Sequence, residues 1–366
     1  MDNIFKKTIS LLITYQCNLN CSYCYERHKT NKSMDVEDAK RYIQQEVEIF
    51  RKETQYKFLE ISFMGGEPLL EFGKIRQIAE WCWEQNWDFD YILFATTNGT
   101  LLNEEMKAWL IENKKRFVIG LSFDGNESMQ NMNRSNSASM IDIDFFYNTW
   151  PDQAPKMTLS PDSMPELADG ILALHKVGYG RILANLAYGV EWSEKDMEEY
   201  SRQLFKLIDY YLDNPEQERC SLLDIDMINA LCYTAKQSKV CGCGVGSITI
   251  DTDGKRYPCQ MFAPITIESN ESREILKKNF GDVTNFIVEH CRSCVLNKIC
   301  PKCYGMNFLL YKDMRKQPIY ICRSFKIQFL ANCILTQKQI EKKQIKENVE
   351  EYERVLRIVN DLLVIK

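Results

Sequence analysis

The sequence has no apolar run near the ~20 residues that a membrane-spanning helix needs, and it has no excess of basic residues. Its 46 Lys and Arg are outnumbered by 51 Asp and Glu, which gives a net charge of -5. This balance argues against general nucleic-acid binding. The apolar stretch that ends at Thr14 is short, contains Thr and Ser, and has no small-residue cleavage site, so it does not fit a signal peptide. We therefore expect a cytoplasmic protein with neither a nucleic-acid nor a membrane partner.

Fifteen cysteines are the most unusual feature of the composition. In a long acidic chain without a secretion signal, they favour metal sites over disulfides. Three of them lie within 17–24 and eight within 241–322. The remaining four are scattered, and we interpret them as small buried side chains: Cys82, Cys220, Cys232 and Cys333.

Strand-like and helix-like segments alternate along the first part of the chain, which predicts βαβ units. The strand-like segments are 7–14, 58–63, 91–97, 116–122, 156–159 and 181–190. Six repeats fit an incomplete barrel, so the predicted fold class is α/β, with a partial (β/α)6 TIM-like barrel. We interpret 126–144 as a loop with a short helical turn.

Four domains are predicted from these patterns. The barrel spans 1–215 and a helical linker spans 216–240. Residues 241–325 are rich in Gly, Pro and Cys and lack hydrophobic periodicity, so this small domain needs metal sites to hold it together. Residues 326–366 are charged, with apolar positions every three to five residues, and predict a C-terminal amphipathic helix.

The first cysteine cluster is Cys17-x3-Cys21-x2-Cys24, directly after a predicted strand. Three thiolates on one tight loop can bind three irons of a [4Fe–4S] cluster and leave the fourth iron open to a chelating small molecule. A zinc site with His28 as the fourth ligand is the alternative.

This motif, with Tyr23 before the last cysteine, resembles the signature of the radical S-adenosylmethionine (SAM) superfamily. The resemblance implies that Cys17, Cys21 and Cys24 are catalytic and hold a [4Fe–4S] cluster whose open iron binds SAM. It also implies reductive cleavage of SAM to a 5′-deoxyadenosyl radical, which abstracts hydrogen from the substrate. The electron would come from an external donor of the flavodoxin or ferredoxin type.

Further segments at strand ends resemble the family's SAM contacts. Glycines allow close backbone approach, and a carboxylate suits the SAM ammonium group. The Ser and Arg positions imply contacts with the SAM carboxylate and ribose, and the last strand implies an adenine pocket. The implied cofactor-binding residues are Tyr23, Gly65, Gly66, Glu67, Pro68, Thr97, Asn98, Ser122, Asp124, Arg134 and Leu186.

The C-terminal cysteines resemble the SPASM domain, which implies two auxiliary [4Fe–4S] clusters and three clusters in total. The nearer cluster would use Cys259 and Cys303 with one or both of Cys241 and Cys243. If one of that pair does not ligate, an open iron could bind the substrate. The farther cluster would use Cys291, Cys294, Cys300 and Cys322. The x2 spacing of Cys300 and Cys303 departs from the usual x3, and two four-cysteine zinc sites are the alternative.

Similar architectures occur in maturases of ribosomally made peptides and in anaerobic sulfatase-maturing enzymes. In the latter an Asp follows Tyr-Pro-Cys and acts as the base, whereas here Gln260 follows Cys259. An amide cannot take up a proton at neutral pH. The sequence therefore favours a peptide maturase that forms a thioether or C–C cross-link in a precursor peptide. A formylglycine-forming enzyme and a non-enzymatic electron-transfer protein stay as alternatives.

The sequence does not identify a general base, and Asp251, Asp253 and Glu191 are the candidates. No segment before Cys17 is large enough for a leader-binding domain. We therefore expect any leader peptide to be recognised by a separate leader-binding protein or by another surface.

Overall fold

The computed structural model of the protein describes residues 6–232, 241–288 and 291–364. They form two compact units. The first contains residues 6–123, 130–156 and 242–282, and the second contains the other described residues. Among the helices described over these ranges, none has the length and apolar character needed to cross a membrane.

Strands and helices alternate through the first half of the chain, as predicted. The strands are β1 (Lys6–Thr14), β2 (Phe58–Gly65), β3 (Asp90–Thr97), β4 (Phe117–Leu121), β5 (Lys156–Leu159), β6 (Leu183–Leu186), β7 (Ser247–Ile250) and β8 (Arg256–Tyr257). The first six helices are α1 (Val36–Phe50), α2 (Phe72–Glu84), α3 (Glu104–Asn113), α4 (Glu127–Asn133), α5 (Ile143–Thr149) and α6 (Leu167–Val177). The others are α7 (Glu194–Asp213), α8 (Met227–Cys232), α9 (Ser269–Ile275), α10 (Tyr304–Tyr311), α11 (Ile319–Glu341) and α12 (Val349–Val364).

The first unit is built on a six-stranded sheet with the order β4-β3-β2-β1-β7-β8. Its pairs are parallel except for β7 with β8, which form an antiparallel hairpin. One face of β2 carries Leu59, Ile61 and Phe63, which are fully buried, while the opposite face carries Glu60 and Ser62. This period of two is the reason that the segment forms a strand rather than a helix.

Polar side chains set the starts of several helices at the predicted places. Asp35 accepts the backbone N–H of Glu37 at 2.8 Å and so caps α1. Before α7, Ser193 and Asp196 form a reciprocal capping box. Asn126 accepts the Met129 N–H at 2.9 Å at the start of α4, and Asp142 accepts the Phe145 N–H at the start of α5. Residues 126–144 therefore contain α4 and the start of α5, where we expected a loop with a short helical turn.

The second unit contains β5 paired with β6, and helices that include α6, α7 and α11. A hydrophobic cluster joins α8, α11 and α12 and consists of Met227, Leu296, Phe325, Phe329, Cys333, Val355 and Val359. The C-terminal region is helical as expected, but it forms two helices. Lys343 and Asn348 have φ values of 57° and 54°, and this left-handed backbone ends one helix before the next begins.

Candidate functional site

Three of the predicted ligands lie on one loop that begins directly after β1. The backbone N–H of Cys24 donates to the Cys21 carbonyl at 3.1 Å and closes the last turn of this loop. The thiols of Cys17, Cys21 and Cys24 are all partly exposed. Burial raises the pKa of Cys17, although the Leu19 N–H, at 3.5 Å from its sulfur, acts in the opposite direction. Three thiols on one accessible turn fit a cluster with one open iron.

The residues at the end of β2 form hydrogen bonds with the backbone that leads into this thiol loop. The N–H of Gly66 donates to Thr14 O at 3.0 Å, and that of Glu67 donates to Gln16 O at 2.7 Å. A Cβ atom on Gly66 would lie 2.0 Å from Gln16 O. Gly65 has a φ of 146°, a backbone angle that residues other than glycine rarely adopt. The absence of side chains at the two glycines therefore allows the end of β2 to approach the loop backbone closely enough to form these hydrogen bonds.

The side chain of Glu67 is 1 % exposed and ties the end of β2 to the end of β3. Its carboxylate accepts the Thr97 hydroxyl at 2.7 Å, the Asn98 N–H at 2.8 Å and the Leu69 N–H at 3.0 Å. Burial raises the pKa of Glu67 to about 7, and these donors counteract the shift. Pro68 follows at the first turn of a short 3-10 helix. Because three of about four acceptor positions are occupied, the carboxylate has a structural role here.

Asn98 connects β3 to the thiol loop. Its side-chain amide donates to Asn18 Oδ1 at 2.9 Å, and its own oxygen accepts the Thr100 N–H at 3.0 Å. Asn18 in turn donates to the Thr100 hydroxyl at 2.8 Å. These three side chains form a closed set of hydrogen bonds next to Cys17, which limits the positions that the loop can adopt.

The segment after α4 holds the other side of the loop. The Ser22 N–H donates to Asn133 O at 2.9 Å. The Arg134 guanidinium lies 5.4 Å from the centre of the Tyr23 ring, within the range of a cation–π interaction. Arg134 is 8 % exposed. The structure thus brings Tyr23 and Arg134, two of the predicted residues, together beside the cysteines.

Ser122 directly follows β4, and a neighbouring lysine was not predicted from sequence. The Ser122 N–H donates to Thr97 O at 2.9 Å, and Ser122 forms a parallel bridge with Lys156. The Lys156 ammonium donates to the Thr96 hydroxyl at 2.9 Å and lies 5.2 Å from the Phe94 ring centre. Burial lowers the pKa of Lys156. A partly buried cation beside Ser122 suits an anionic ligand group, and the only hint in the sequence is a lysine at the start of a predicted strand.

Asp124 and Leu186 belong to the second unit. Asp124 is fully buried, and its carboxylate accepts the Thr158 N–H at 2.9 Å, which is a structural role. Leu186 ends β6 and is 7 % exposed. It therefore presents little of its side chain.

The cysteines expected at the nearer auxiliary site belong to both units. In the first unit, Cys243 is buried beside β7 and Cys259 is partly exposed. Tyr25 forms a hydrogen bond with the Gln260 side chain. Burial raises the pKa of Tyr25, and the nearby thiols of Cys24 and Cys259 contribute to the rise. Tyr25 therefore lies close to a thiol of the first loop and to a thiol of the second cluster.

In the second unit, Cys303 caps α10 by accepting the Met306 N–H at 3.4 Å. Burial, together with the Cys241 thiol, raises the pKa of Cys303 to about 11. The two cysteines are therefore neighbours. Burial also raises the pKa of Tyr188, with contributions from Cys303, Cys300 and Cys241.

Four cysteines of the second unit line one cavity, and they are the four expected at the farther auxiliary site: Cys291, Cys294, Cys300 and Cys322. Leu296, Pro318 and Phe325 add apolar surface to its wall. The Gln317 amide donates to the Cys300 sulfur at 3.7 Å. Burial raises the pKa of Cys300 to about 11, which Gln317 and Lys302 counteract.

No group of three or more His, Cys, Asp or Glu side chains is close enough to hold a metal ion within the part of the chain that the structure describes. The scattered thiols of Cys82, Cys220 and Cys333 are buried, as predicted. The side chain of Cys232 lies outside the described residues.

The candidate bases have structural surroundings. Asp251 is 2 % exposed and accepts the Tyr15 hydroxyl at 2.6 Å, next to the turn between β7 and β8. Asp253 forms an ion pair with Lys255 at 2.6 Å in the same turn. Glu191 is exposed. These surroundings do not single out any of the three as a base.

Residues 11–142 match the family model of the radical SAM superfamily. An uncharacterized protein of Methanocaldococcus jannaschii, MJ0907, is 39 % identical over 122 residues, which are 33 % of this chain and 40 % of that protein. The radical SAM cyclopropyl synthase TigE of Paramaledivibacter caminithermalis is 31 % identical over 132 residues, which are 32 % of this chain and 27 % of TigE. The chain therefore aligns with less than half of the length of each of these two relatives.

A longer alignment joins this chain to the cysteine-type anaerobic sulfatase-maturating enzyme of Clostridium perfringens. The two are 24 % identical over 371 residues, which cover 87 % of this chain and 94 % of that enzyme.

Solved structures share the fold. The enzyme anSMEcpe with bound AdoMet superposes with a TM-score of 0.66 at 17 % identity, over 96 % of this chain and 98 % of that one. SuiB of Streptococcus suis, bound to its precursor peptide SuiA, gives a TM-score of 0.56 at 16 % identity, over 87 % of this chain and 76 % of SuiB. The predicted α/β fold class is confirmed.

Proposed function

Since residues 11–142 match the family model of the radical SAM superfamily, we propose that this chain is a radical SAM enzyme that modifies a ribosomally made precursor peptide, most readily by forming a thioether or C–C cross-link. The observation that carries the proposal is the thiol loop after β1, which neighbouring strand ends and the segment after α4 hold through backbone and side-chain hydrogen bonds. Its three cysteines are the ligands that we assign to the SAM-binding [4Fe–4S] cluster.

When bound, a cluster with an open iron supplies the electron that splits SAM into methionine and a 5′-deoxyadenosyl radical. The protein positions the SAM molecule. We assign its carboxylate and ribose to Ser122 and Arg134, with Lys156 as a third, cationic partner. We assign the SAM ammonium group to the backbone of Gly65 and Gly66, because hydrogen bonds already occupy most of the Glu67 carboxylate.

The four-thiol cavity of the second unit supports an auxiliary [4Fe–4S] cluster. Four thiols line one partly apolar space, and the Gln317 amide N–H points at one of the sulfurs. Thiolates with N–H donors and limited solvent are the usual surroundings of such clusters. A second auxiliary cluster, on Cys259 and Cys303 with one or both of Cys241 and Cys243, completes the proposed set of three.

One relative is named a sulfatase-maturating enzyme, and SuiB is bound to a precursor peptide, and both support a peptide or protein substrate. A formylglycine-forming function is the second candidate, because the sulfatase-maturating enzyme aligns over nearly its whole length. Gln260 argues against that function, since an amide cannot take the proton that the reaction requires. The proposed partners are the precursor peptide, a flavodoxin- or ferredoxin-type donor and a separate leader-binding protein. A cytoplasmic location remains a prediction.

The test is anaerobic incubation of the reconstituted protein with dithionite, SAM and the peptide encoded beside its gene. Mass spectrometry of both products should show 5′-deoxyadenosine and a peptide that is about 2 Da lighter, as loss of two hydrogens requires. A sulfatase-derived peptide that is converted to formylglycine would establish the second candidate instead. Absence of deoxyadenosine from a protein with full iron content would refute the enzymatic proposal.

A further inference from the structure

The four-thiol cavity of the second unit lies in the most basic part of an acidic chain. From Cys291 to Lys326, the first and last residues that line the cavity, the sequence has eight Lys or Arg and one Asp, a net charge of +7. The chain as a whole has a net charge of -5. Such a local reversal of charge is a feature of surfaces that attract acidic partners.

Three of these cations are not neutralised by the protein itself. The Lys302 ammonium donates to Asn297 O at 2.8 Å, and the Lys316 ammonium lies 4.6 Å from the Tyr311 ring centre. Lys326 is exposed and lines the cavity. None of the three forms an ion pair with an acidic side chain of the described residues, whereas Arg315 pairs with Asp313 and Arg323 with Glu194.

Two apolar side chains of the same stretch, 291–326, are exposed at or next to the cavity lining. Ile319 lines the cavity and is 65 % exposed, and Val295, next to Cys294, is 45 % exposed. All four thiols of the cavity are partly exposed. A small apolar centre with a charged rim is typical of weak, short-lived complexes between redox proteins, which bury little surface.

We propose that the surface of Val295, Ile319, Lys302, Lys316 and Lys326 is the docking site for a small acidic electron carrier. This inference rests on the proposed function, because it needs a cluster on the four thiols. In the complex, a reduced flavin or iron–sulfur carrier loses one electron and is oxidised, and the cluster gains that electron and is reduced. The charge of the site favours an acidic carrier over a neutral or basic one.

The test uses the full-length holoenzyme and photoreduced flavodoxin in a stopped-flow instrument. The triple variant K302Q/K316Q/K326Q removes the three charges, and K302R/K316R/K326R keeps them. A matched control, K195Q/K206Q/K342Q, removes three exposed charges elsewhere in the second unit. Iron content and circular dichroism report whether each variant is folded and loaded.

At low ionic strength, we expect the first variant to oxidise flavodoxin about tenfold more slowly than the wild type and to show a weaker salt dependence. The Arg variant and the matched control should behave as the wild type. Equal rates and salt dependences for all four proteins would overturn the proposal. So would a variant that binds an acidic peptide more weakly but accepts electrons normally, since the surface would then serve the substrate.

Deoxyadenosine formation with dithionite, which needs no carrier, separates this inference from the proposed function. Dithionite-driven cleavage at the wild-type rate in every variant is expected. If the wild type itself forms no deoxyadenosine, the proposed function fails and the docking proposal fails with it.

Discussion

The two thiol clusters that the structure describes most fully differ in what surrounds them. The loop of Cys17, Cys21 and Cys24 is bounded by backbone hydrogen bonds from β2, β3 and the segment after α4. The cavity of Cys291, Cys294, Cys300 and Cys322 is lined by apolar side chains and the Gln317 amide, and the backbone hydrogen bonds of its cysteines are local, as in the bond from Cys294 N–H to Cys291 O at 3.1 Å. Other elements of the fold therefore hold the loop of the first cysteines, whereas the backbone hydrogen bonds of the second set of cysteines come mainly from their own turns and helix.

This difference predicts different consequences of metal loss. Where ligands are fixed by the chain, losing the cluster should cost activity and little structure. Where a cluster replaces part of a core, its binding free energy is also folding free energy. Substitutions in the two regions test this contrast, from complete loss of chemistry to a modest change in affinity.

The largest effect is expected from Cys17→Ala, Cys21→Ala or Cys24→Ala. Each variant should form no deoxyadenosine above background while retaining roughly eight of twelve iron atoms, since the two proposed auxiliary [4Fe–4S] sites stay intact. Chromatography of the SAM products and iron analysis measure both. Cys82→Ala removes a buried thiol from α2 and should keep activity. Normal SAM cleavage by a loop variant would show that the catalytic cluster lies elsewhere.

Cys294→Ala or Cys300→Ala should destabilise the second unit, because the proposed cluster there would contribute folding free energy of several kcal/mol. We expect a loss of roughly four iron atoms and faster amide hydrogen exchange in α10 and α11. Cys333→Ala, in the hydrophobic cluster but outside the cavity lining, should keep its iron. If the iron content and the amide hydrogen exchange of the cavity variants were unchanged, the two regions would not differ in their dependence on metal.

Glu67→Gln sharpens the contrast on the loop side. The amide has one acceptor oxygen in place of two, so at least one donor among Thr97, Asn98 and Leu69 loses its partner. The free energy of unfolding should fall by about 1–3 kcal/mol. Urea denaturation measures this, and the exposed Glu84→Gln serves as the control. Full stability with loss of SAM binding would assign the carboxylate to the cofactor instead.

The same residue predicts a pH dependence. The folded-state pKa of Glu67, about 7, is above the ordinary value of 4.5. The folded protein therefore binds the proton more tightly, and this contribution to stability is lost as pH rises from about 4.5 through 7. Denaturation at pH 5 and pH 8 should show a smaller difference for Glu67→Gln than for the wild type.

Lys156→Gln should give the smallest effect. If the ammonium binds the SAM carboxylate, its removal should weaken SAM binding roughly tenfold, as loss of a charged hydrogen bond does. Binding of decarboxylated SAM should not change, and the exposed Lys115→Gln is the control. Equal weakening for both ligands would indicate that Lys156 supports the sheet and does not contact the carboxylate.

The sequence predicted much of the first unit because its signals are local. Short apolar runs, most of them ending at turn residues, marked β1 to β4, and Asp35 marked the start of α1. The pairing of β7 with β1 could not be predicted, because β7 has four residues and its partner is more than 200 residues away. The helices α10 and α11 lie partly within the cysteine-rich region, where the number of Gly, Pro and Cys residues hid their periodicity.

The site was predicted in its residues more than in their roles. The spacing of the cysteines is enough to identify candidate cluster ligands, because few structures other than metal sites require closely spaced cysteines. Glu67 was expected to face a ligand, and its three donors come from the ends of two strands that no spacing relates. Lys156 was missed because its importance depends on Thr96 and Phe94 of a neighbouring strand.

The pairing of β1 with β7 has a consequence for how the protein is made. Thr8 to Leu11 pair with Ser247 to Ile250, so one edge of β1 has no partner until those residues leave the ribosome. Synthesis of the intervening residues, about 230 of them, takes roughly 10 to 50 s at ordinary translation rates. An apolar strand with an open edge is prone to pair with other chains. Nascent chains should therefore depend on chaperone protection during this interval, and slow synthesis should increase their aggregation.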